Sequence, residues 1–306
     1  MRFRTFARTD ATPNRKKMLV NPCRVNETTS MQQPAAGAAS QIVQRIERYS
    51  TSLRRPGVSH VIFDFDGTLS WLRHGWPRIM LNGFLQHAPV AWNAKEDELL
   101  ADILSLNGKP TIHQMRSFTD RMARESVALD PEQLFVEYEQ NLHRSIAERT
   151  NSIQAGTPRD EFVVFGARHI LENLRNRGIT LIILSGTVET EVRAEAALLG
   201  VAEFFGNHIY GSARGAAFSK QDVIERIMRE ERIGGHHLLS FGDGPLEMRF
   251  TKAAGGLAIG VASDEDVNGS HEFDPFKREQ LKRAGSDALI PDYAEADALL
   301  EEIFGK

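Results

Sequence analysis

Residues 58–68 read VSHVIFDFDGT, a mostly apolar run that ends in Asp64, Asp66 and Gly67. The Val, Ile and Phe residues predict a buried strand over 58–64, and Gly67 predicts the turn that closes it. Two carboxylates at the end of a strand can point into one crevice, and such a pair is costly unless it shares a cation or a proton. Their oxygen atoms suit Mg²⁺. Because Asp and Gly are also common turn residues, this stretch alone leaves a solvated turn open.

Strand and helix patterns alternate along the chain after residue 155. This alternation predicts an α/β fold in which a Rossmann-like parallel sheet is covered by helices on both faces. Ligands of such sheets bind beyond the carboxyl ends of the strands, which is where Asp64 and Asp66 are expected. The further strands are predicted at Ile179–Leu184, Asn207–Tyr210, His237–Phe241, Leu257–Val261 and Ala288–Ile290.

A helical insertion is predicted after the first strand, over residues 82–154. Helix patterns fill this interval at Glu96–Leu106, Thr111–Ala128 and Pro131–Glu148. We therefore expect a helical cap at 82–154 and a catalytic core formed by residues 56–81 and 155–306.

The N-terminal region differs in composition from the rest of the chain. Residues 1–40 contain seven Arg and Lys residues but only two acidic residues, Asp10 and Glu27. Residues 1–55 are accordingly predicted to be a disordered extension, although an Arg-rich, acid-poor segment also suits an organelle transit peptide. Within this region, Gln41–Leu53 is predicted to form a short helix.

Composition restricts the partners and the compartment. The net charge of −4 argues against bulk attraction to nucleic acid or to an anionic membrane, and no apolar run is long enough to span a bilayer. The single cysteine, Cys23, excludes an intrachain disulfide framework and suits a reducing compartment. We expect a cytoplasmic protein that binds neither nucleic acid nor membranes.

Polar residues follow two of the later strands. Ser185-Gly186-Thr187 could bind phosphate at the start of a helix, or Ser185 and Thr187 could simply cap that helix. Asp243, in Gly242–Glu247, is placed to complete a metal site, or belongs to an ordinary turn. Lys220 opens a predicted helix, where a lone lysine is usually a solvated surface charge.

The order of these groups along the chain resembles the motifs of the haloacid dehalogenase superfamily. The matching groups are Asp-x-Asp-Gly-Thr at 64–68, Ser185, Lys220 and Gly-Asp-Gly-x-x-Glu at 242–247. The resemblance runs from Val58 to the C-terminus, and the insertion looks like the helical type 1 cap of this superfamily. It is similar to the branch of phosphoglycolate phosphatases and β-phosphoglucomutases.

The resemblance implies a role for each matching residue. Asp64 matches the nucleophile that forms an aspartyl-phosphate, and Asp66 matches the general acid and base. A Mg²⁺ ion is expected to be held by the Asp64 carboxylate, the Asp66 main-chain carbonyl and the Asp243 carboxylate, with Glu247 supporting these ligands through water or the backbone. The residues expected to contact phosphate are Thr68, Ser185, Gly186, Thr187 and Lys220, of which Lys220 also offsets charge near Asp64.

An acid at position 66 favours phosphatases and phosphomutases over dehalogenases within this superfamily. The resemblance therefore implies a Mg²⁺-dependent phosphatase that acts on a small phosphorylated metabolite, such as a sugar phosphate or a phosphoglycolate-like compound. A phosphomutase of the β-phosphoglucomutase type and a non-catalytic ligand-binding protein of this fold stay open. Residues Trp71–Trp76, which follow the first motif, are expected to form a packed linker, with a role in lining a substrate vestibule as the alternative.

Overall fold

A computed structural model describes residues 45–106, 110–213 and 218–305. Within these residues a seven-stranded sheet has the order β1-β7-β6-β5-β2-β3-β4. Strands β2 to β7 are parallel where they pair, and β1 pairs antiparallel with β7 at one edge. The strands are β1 Glu47–Arg48, β2 His60–Phe63, β3 Thr180–Val188, β4 Ile209–Ser212, β5 Leu238–Gly242, β6 Leu257–Val261 and β7 Ala288–Ile290.

Helices cover both faces of this sheet. Because both faces are covered, every residue of β2, β5 and β6 is buried. The helices are α1 Trp76–His87, α2 Glu96–Ser105, α3 Thr111–Arg124, α4 Pro131–Gln154, α5 Ala167–Asn176, α6 Glu189–Leu199, α7 Lys220–Glu230, α8 Pro245–Ala253, α9 Pro275–Arg283 and α10 Ala296–Phe304. The predicted α/β fold with a mostly parallel sheet is confirmed. No helix in the described ranges has both the length and the apolar character that crossing a membrane requires.

Aromatic rings fill the centre of the sheet's core. Phe63 of β2 and Phe241 of β5 stack with their ring centroids 5.0 Å apart, and both contact the ring of Tyr293 edge-on. All three side chains are buried. This packing fixes the two strands whose ends carry Asp64 and Asp243.

The predicted helical insertion is confirmed between β2 and β3, where α1 to α5 lie. Helices α1 to α4 surround an apolar cluster of their own, in which Phe84 and Phe118 stack with ring centroids 4.0 Å apart. The sequence reading missed α1, although Pro77 near its start and the spacing of Met80, Leu81 and Phe84 are typical of an amphipathic helix. The division into a core and a cap at residues 82–154 stays a prediction.

The helix predicted over Gln41–Leu53 is wrong for the described part of that range. Residues Glu47 and Arg48 form β1, and the main-chain N–H groups of Tyr49 and Ser50 donate to the carbonyl oxygen of Asp287 at 2.8 and 3.0 Å. The edge of β7 offers unpaired backbone groups, and pairing with them outweighs a weak local helix preference. Among the described residues, the insertion therefore follows the second strand, and part of the range assigned to the extension belongs to the sheet. Residues 1–44 lie outside the described residues.

The separate apolar cluster of the insertion leads to a stability prediction. Replacing the buried Phe118 by alanine (Phe118→Ala) removes its stacking on Phe84 and leaves a cavity, so we expect the free energy of unfolding to fall by about 3–5 kcal/mol. Urea denaturation followed by circular dichroism measures this loss. Val136→Ala, at a half-exposed position of α4, is the control and is expected to change it by about 0.5 kcal/mol or less. A loss below about 1 kcal/mol for Phe118→Ala would show that the insertion does not depend on this cluster.

Candidate active site

The parallel register of three central strands brings distant motifs together. Phe63, the last residue of β2, pairs with Ile183 on one side and with Phe241 on the other. Asp64 is the next residue, while Ser185 and Asp243 each come two residues after the partners of Phe63. Parallel strands end at the same edge of a sheet, so these three side chains meet at one crevice.

The crevice is a cleft of about 810 Å³ between the strand ends and the insertion. Aromatic and apolar side chains form part of its wall, among them those of Phe218, Leu246 and Phe250. His74 stacks on Trp71 with ring centroids 3.5 Å apart. The segment expected to be a packed linker therefore also contributes to the wall. Residues from this segment and from the insertion that line the cleft are Trp71, Arg73, His74, Trp76, Pro110 and Thr111.

Asp64 is buried and paired with a lysine. Lys220, the first residue of α7, places its Nζ 2.8 Å from Asp64 Oδ2 and also contacts the carboxylate of Glu247 from α8. Burial raises the pKa of Asp64 well above its usual value, and the charges of Glu247 and Asp243 add to this rise against the opposing effect of Lys220. Burial lowers the pKa of Lys220, but the charges of Asp64 and Glu247 outweigh burial, so its pKa is raised. Glu247 therefore acts on Asp64 both directly, through its charge, and through the lysine that the two carboxylates share.

Asp243 lies beside the first loop. Gly67 has a φ of 70°, and a Cβ atom at this position would overlap the Asp243 carboxylate. Glycine is thus required both by the left-handed backbone and by the close approach of Asp243. Burial raises the pKa of Asp243 to about 6, with the charges of Glu265 and Glu247 adding to the rise and that of Lys277 opposing it.

Asp66 is held by partners different from those of Asp64. Its Oδ2 accepts a hydrogen bond of 2.7 Å from Thr187 Oγ1, and its Oδ1 lies 3.2 Å from Arg73 Nε. Arg73 also pairs with Glu195 at 2.6 Å and with Glu191 at 3.4 Å. The guanidinium group therefore faces three carboxylates and anchors Asp66 to α6.

Not all of the other residues predicted to contact phosphate line the cleft. Ser185 and Gly186 line the cleft, and Ser185 Oγ accepts a hydrogen bond of 3.0 Å from the main-chain N–H of Thr187. Thr68 is fully buried outside the cleft lining, and its hydroxyl has no hydrogen-bond partner within the part of the chain that the structure describes. Phosphate contacts by these residues stay predictions.

Lys277 and Glu265 are parts of the site that sequence reasoning missed. Lys277, on α9, lies 3.1 Å from Asp243 Oδ2 and 2.6 Å from Glu265 Oε1. Burial lowers the pKa of Lys277, but the charges of Glu265 and Asp243 outweigh it and raise that pKa. Neither residue belongs to a recognisable motif, and Lys277 lies in a helix of ordinary charged composition. No signal in the sequence marks them.

The charges around Asp64 and Asp243 fit a divalent cation. Among the residues that the structure describes, four carboxylates are balanced here by two ammonium groups, which leaves two formal negative charges, the amount that one Mg²⁺ ion neutralises. Within the described ranges, no three His, Cys, Asp or Glu side chains are grouped so that they could hold a metal alone. A site made from two carboxylates and the Asp66 main-chain carbonyl agrees with both observations. The four carboxylates are Asp64, Asp243, Glu247 and Glu265, and the ammonium groups are those of Lys220 and Lys277.

Solved structures share this fold at low sequence identity. The chain is similar to a predicted phosphoglycolate phosphatase from Haemophilus somnus, with a TM-score of 0.54 and 14% identity over 80% of this chain and 98% of that one. For a hydrolase from Deinococcus radiodurans with bound phosphate and sodium, the TM-score is 0.54 and the identity is 18%, over 81% of this chain and 96% of that one. For a putative β-phosphoglucomutase from Thermotoga maritima, the TM-score is 0.52 and the identity is 15%, over 80% of this chain and 99% of that one. Identities this low show a common fold and leave the activity open.

Sequence comparison identifies the family. No curated protein matches the chain. Residues 58–255 match the haloacid dehalogenase-like hydrolase family, and this range contains both the acid pair at the end of β2 and the Asp243 loop. The match covers more than half of the chain. The chain therefore belongs to the haloacid dehalogenase-like hydrolases.

Proposed function

We propose that the protein is a Mg²⁺-dependent phosphatase that hydrolyses a small phosphorylated metabolite through an aspartyl-phosphate on Asp64. The observation that carries the proposal is the buried Asp64 carboxylate, held 2.8 Å from Lys220 Nζ at the base of the cleft. A buried nucleophile next to a fixed positive charge is suited to attack on an anionic phosphoryl group.

The reaction proceeds in two steps on this arrangement. An oxygen of Asp64 attacks phosphorus, and the alcohol leaves with a proton from Asp66. Asp66 then takes a proton from water, which attacks phosphorus, releases inorganic phosphate and restores Asp64. Asp66 suits both proton transfers because Thr187 and Arg73 fix its carboxylate on the wall of the cleft.

Positive charge and backbone donors bind the transferring group. Lys220 is placed to contact a phosphoryl oxygen while it stays paired with Asp64, and the backbone around Gly186 faces the cleft. Asp64, Asp243 and the Asp66 carbonyl would hold Mg²⁺, which would supply charge neutralisation at the phosphoryl oxygens. The volume of the cleft and its aromatic wall fit a small organic phosphate, and a sugar phosphate or a phosphoglycolate-like compound is the substrate class that we propose.

Loss of the nucleophile is expected to abolish turnover. Asp64→Asn keeps the size of the side chain but cannot form the aspartyl-phosphate, so we expect kcat to fall on the order of 10⁴-fold or more. Release of inorganic phosphate from a panel of sugar phosphates, phosphoglycolate and p-nitrophenyl phosphate, with and without Mg²⁺, measures this loss. Asp97→Asn, at an exposed position of α2, is the control.

Two outcomes of that panel would change the assignment. Full turnover by Asp64→Asn would show that another residue is the nucleophile. An isomerised sugar phosphate without net release of inorganic phosphate would identify a mutase, and binding of these compounds without turnover would identify a non-catalytic protein.

The loss of activity that follows replacement of Asp66 is expected to depend on the leaving group of the substrate. Asp66→Asn cannot protonate the alcohol, so hydrolysis of alkyl phosphates should fall by about 10²–10⁴-fold. Transfer from p-nitrophenyl phosphate needs little protonation of its leaving group, so the phosphorylated Asp64 should accumulate and be visible by mass spectrometry of the acid-quenched protein. Equal losses for both substrate types, with no phosphorylated protein, would contradict the acid and base role of Asp66.

Binding of Mg²⁺ is expected to weaken as the pH falls below about 6, the pKa of Asp243. A carboxyl group must release its proton before it binds a cation, so each displaced proton lowers the apparent affinity roughly tenfold per pH unit. Asp64, whose pKa is also raised, adds to the loss that Asp243 causes. Calorimetric titration with Mg²⁺ at about pH 7 and about pH 5 checks this.

The same raised pKa links Mg²⁺ to stability. The folded-state pKa of Asp243, about 6, exceeds its ordinary value of 3.8. In the metal-free protein this group therefore favours folding below about pH 4, and that contribution is lost as the pH rises through about 6. Mg²⁺ should raise the melting temperature more at about pH 7 than at about pH 5, and equal shifts would contradict its binding to Asp243.

A further inference from the structure

Lys277 forms an ion-pair network that the proposed reaction does not use. Its side chain is only 4% exposed, and its Nζ lies 2.6 Å from Glu265 Oε1, 3.1 Å from Asp243 Oδ2 and 3.1 Å from Ser263 Oγ. A buried ammonium group is costly unless such partners surround it. The three partners lie in the loops that follow β5 and β6, so the lysine joins these two loops to α9.

The same network reaches the first loop and the start of the insertion. Ser263 Oγ donates a hydrogen bond of 2.6 Å to the carbonyl oxygen of Gly67, the residue that packs against Asp243. Glu265 Oε2 accepts a hydrogen bond of 2.9 Å from the main-chain N–H of Gly75, the residue before α1. Lys277 therefore lies between Asp243, the loop that carries Asp66 and the segment that leads into the insertion.

We propose that Lys277 is a positioning residue for the metal site, because it holds one oxygen of the Asp243 carboxylate and leaves the other in a fixed orientation for the cation. This inference rests on the proposed function. Partners that orient metal ligands commonly contribute 10–100-fold to metal affinity. Without Lys277, the largely buried carboxylates of Asp243 and Glu265, each with a side chain 15% exposed, repel each other, and Asp243 loses the contact that orients it.

Metal affinity measured without substrate tests this proposal. Lys277→Met keeps most of the apolar stem and removes the ammonium group, so we expect about 10–100-fold weaker binding of Mg²⁺ and of Mn²⁺ by calorimetry. The same factor should appear in the Mg²⁺ concentration for half-maximal phosphatase activity, while the KM for substrate at saturating Mg²⁺ stays close to that of the original protein. Lys252→Met, which breaks the ion pair of Lys252 with Asp287 away from the cleft, is the control for loss of a lysine–aspartate pair.

A double variant separates positioning of Asp243 from neutralisation of Glu265. In Glu265→Gln with Lys277→Met, no unpaired Glu265 charge is left, but Asp243 still lacks its partner. We expect metal binding to stay weak in this variant, and it carries the test if the single variant does not fold. Recovery of the original affinity would show that Lys277 serves only to balance Glu265 and would overturn the proposal.

The outcomes also separate this inference from the proposed function. If the original protein binds no divalent cation, the proposed Mg²⁺-dependent function fails. If it binds Mg²⁺ and Lys277→Met binds it equally well or more tightly, the positioning role of Lys277 fails while the proposed function stands.

Discussion

The concentration of negative charge at the carboxyl edge of the sheet is the constraint on which the site depends. Asp64 is buried and Asp243 is largely buried, Asp243 contributes to the charge around Asp64, and their pKa values are raised by burial and by neighbouring carboxylates. Lys220 and Lys277 offset only part of this charge. A cluster of this kind reduces the stability of the metal-free protein at neutral pH, which is a common feature of functional sites. A divalent cation would offset the negative charge that remains at this edge.

The strand order explains why so much of the site could be predicted from the sequence. In a parallel sheet, residues at the carboxyl ends of neighbouring strands meet at one edge. The motifs after β2 and β5 and the segment 185–187, in the last part of β3, therefore converge where these strands pair. Asp64 and Asp66 are predictable because two acids at the end of an unusually apolar strand need a reason, whereas Asp243 is supported by the order of the motifs. A role for Lys220 could be predicted only from its order among the other motifs. In the structure its Nζ lies 2.8 Å from Asp64 Oδ2.

Features that depend on tertiary pairing could not be predicted. Lys277 resembles any charged residue of α9 until the fold places it between Asp243 and Glu265. Arg73 follows the first motif in sequence, yet its partners on α6 come more than a hundred residues later. Strand β1 has little strand pattern of its own and forms because β7 offers it an edge. In each case the deciding partner is distant in sequence and carries no local signal.

The decisive experiment is a crystal structure grown with Mg²⁺ and beryllium fluoride, an analogue of an acyl phosphate. We expect one cation in contact with both Asp64 and Asp243, and a beryllium fluoride adduct on Asp64 within reach of Lys220. A cation bound away from Asp243, or an adduct on any other residue, would contradict this expectation.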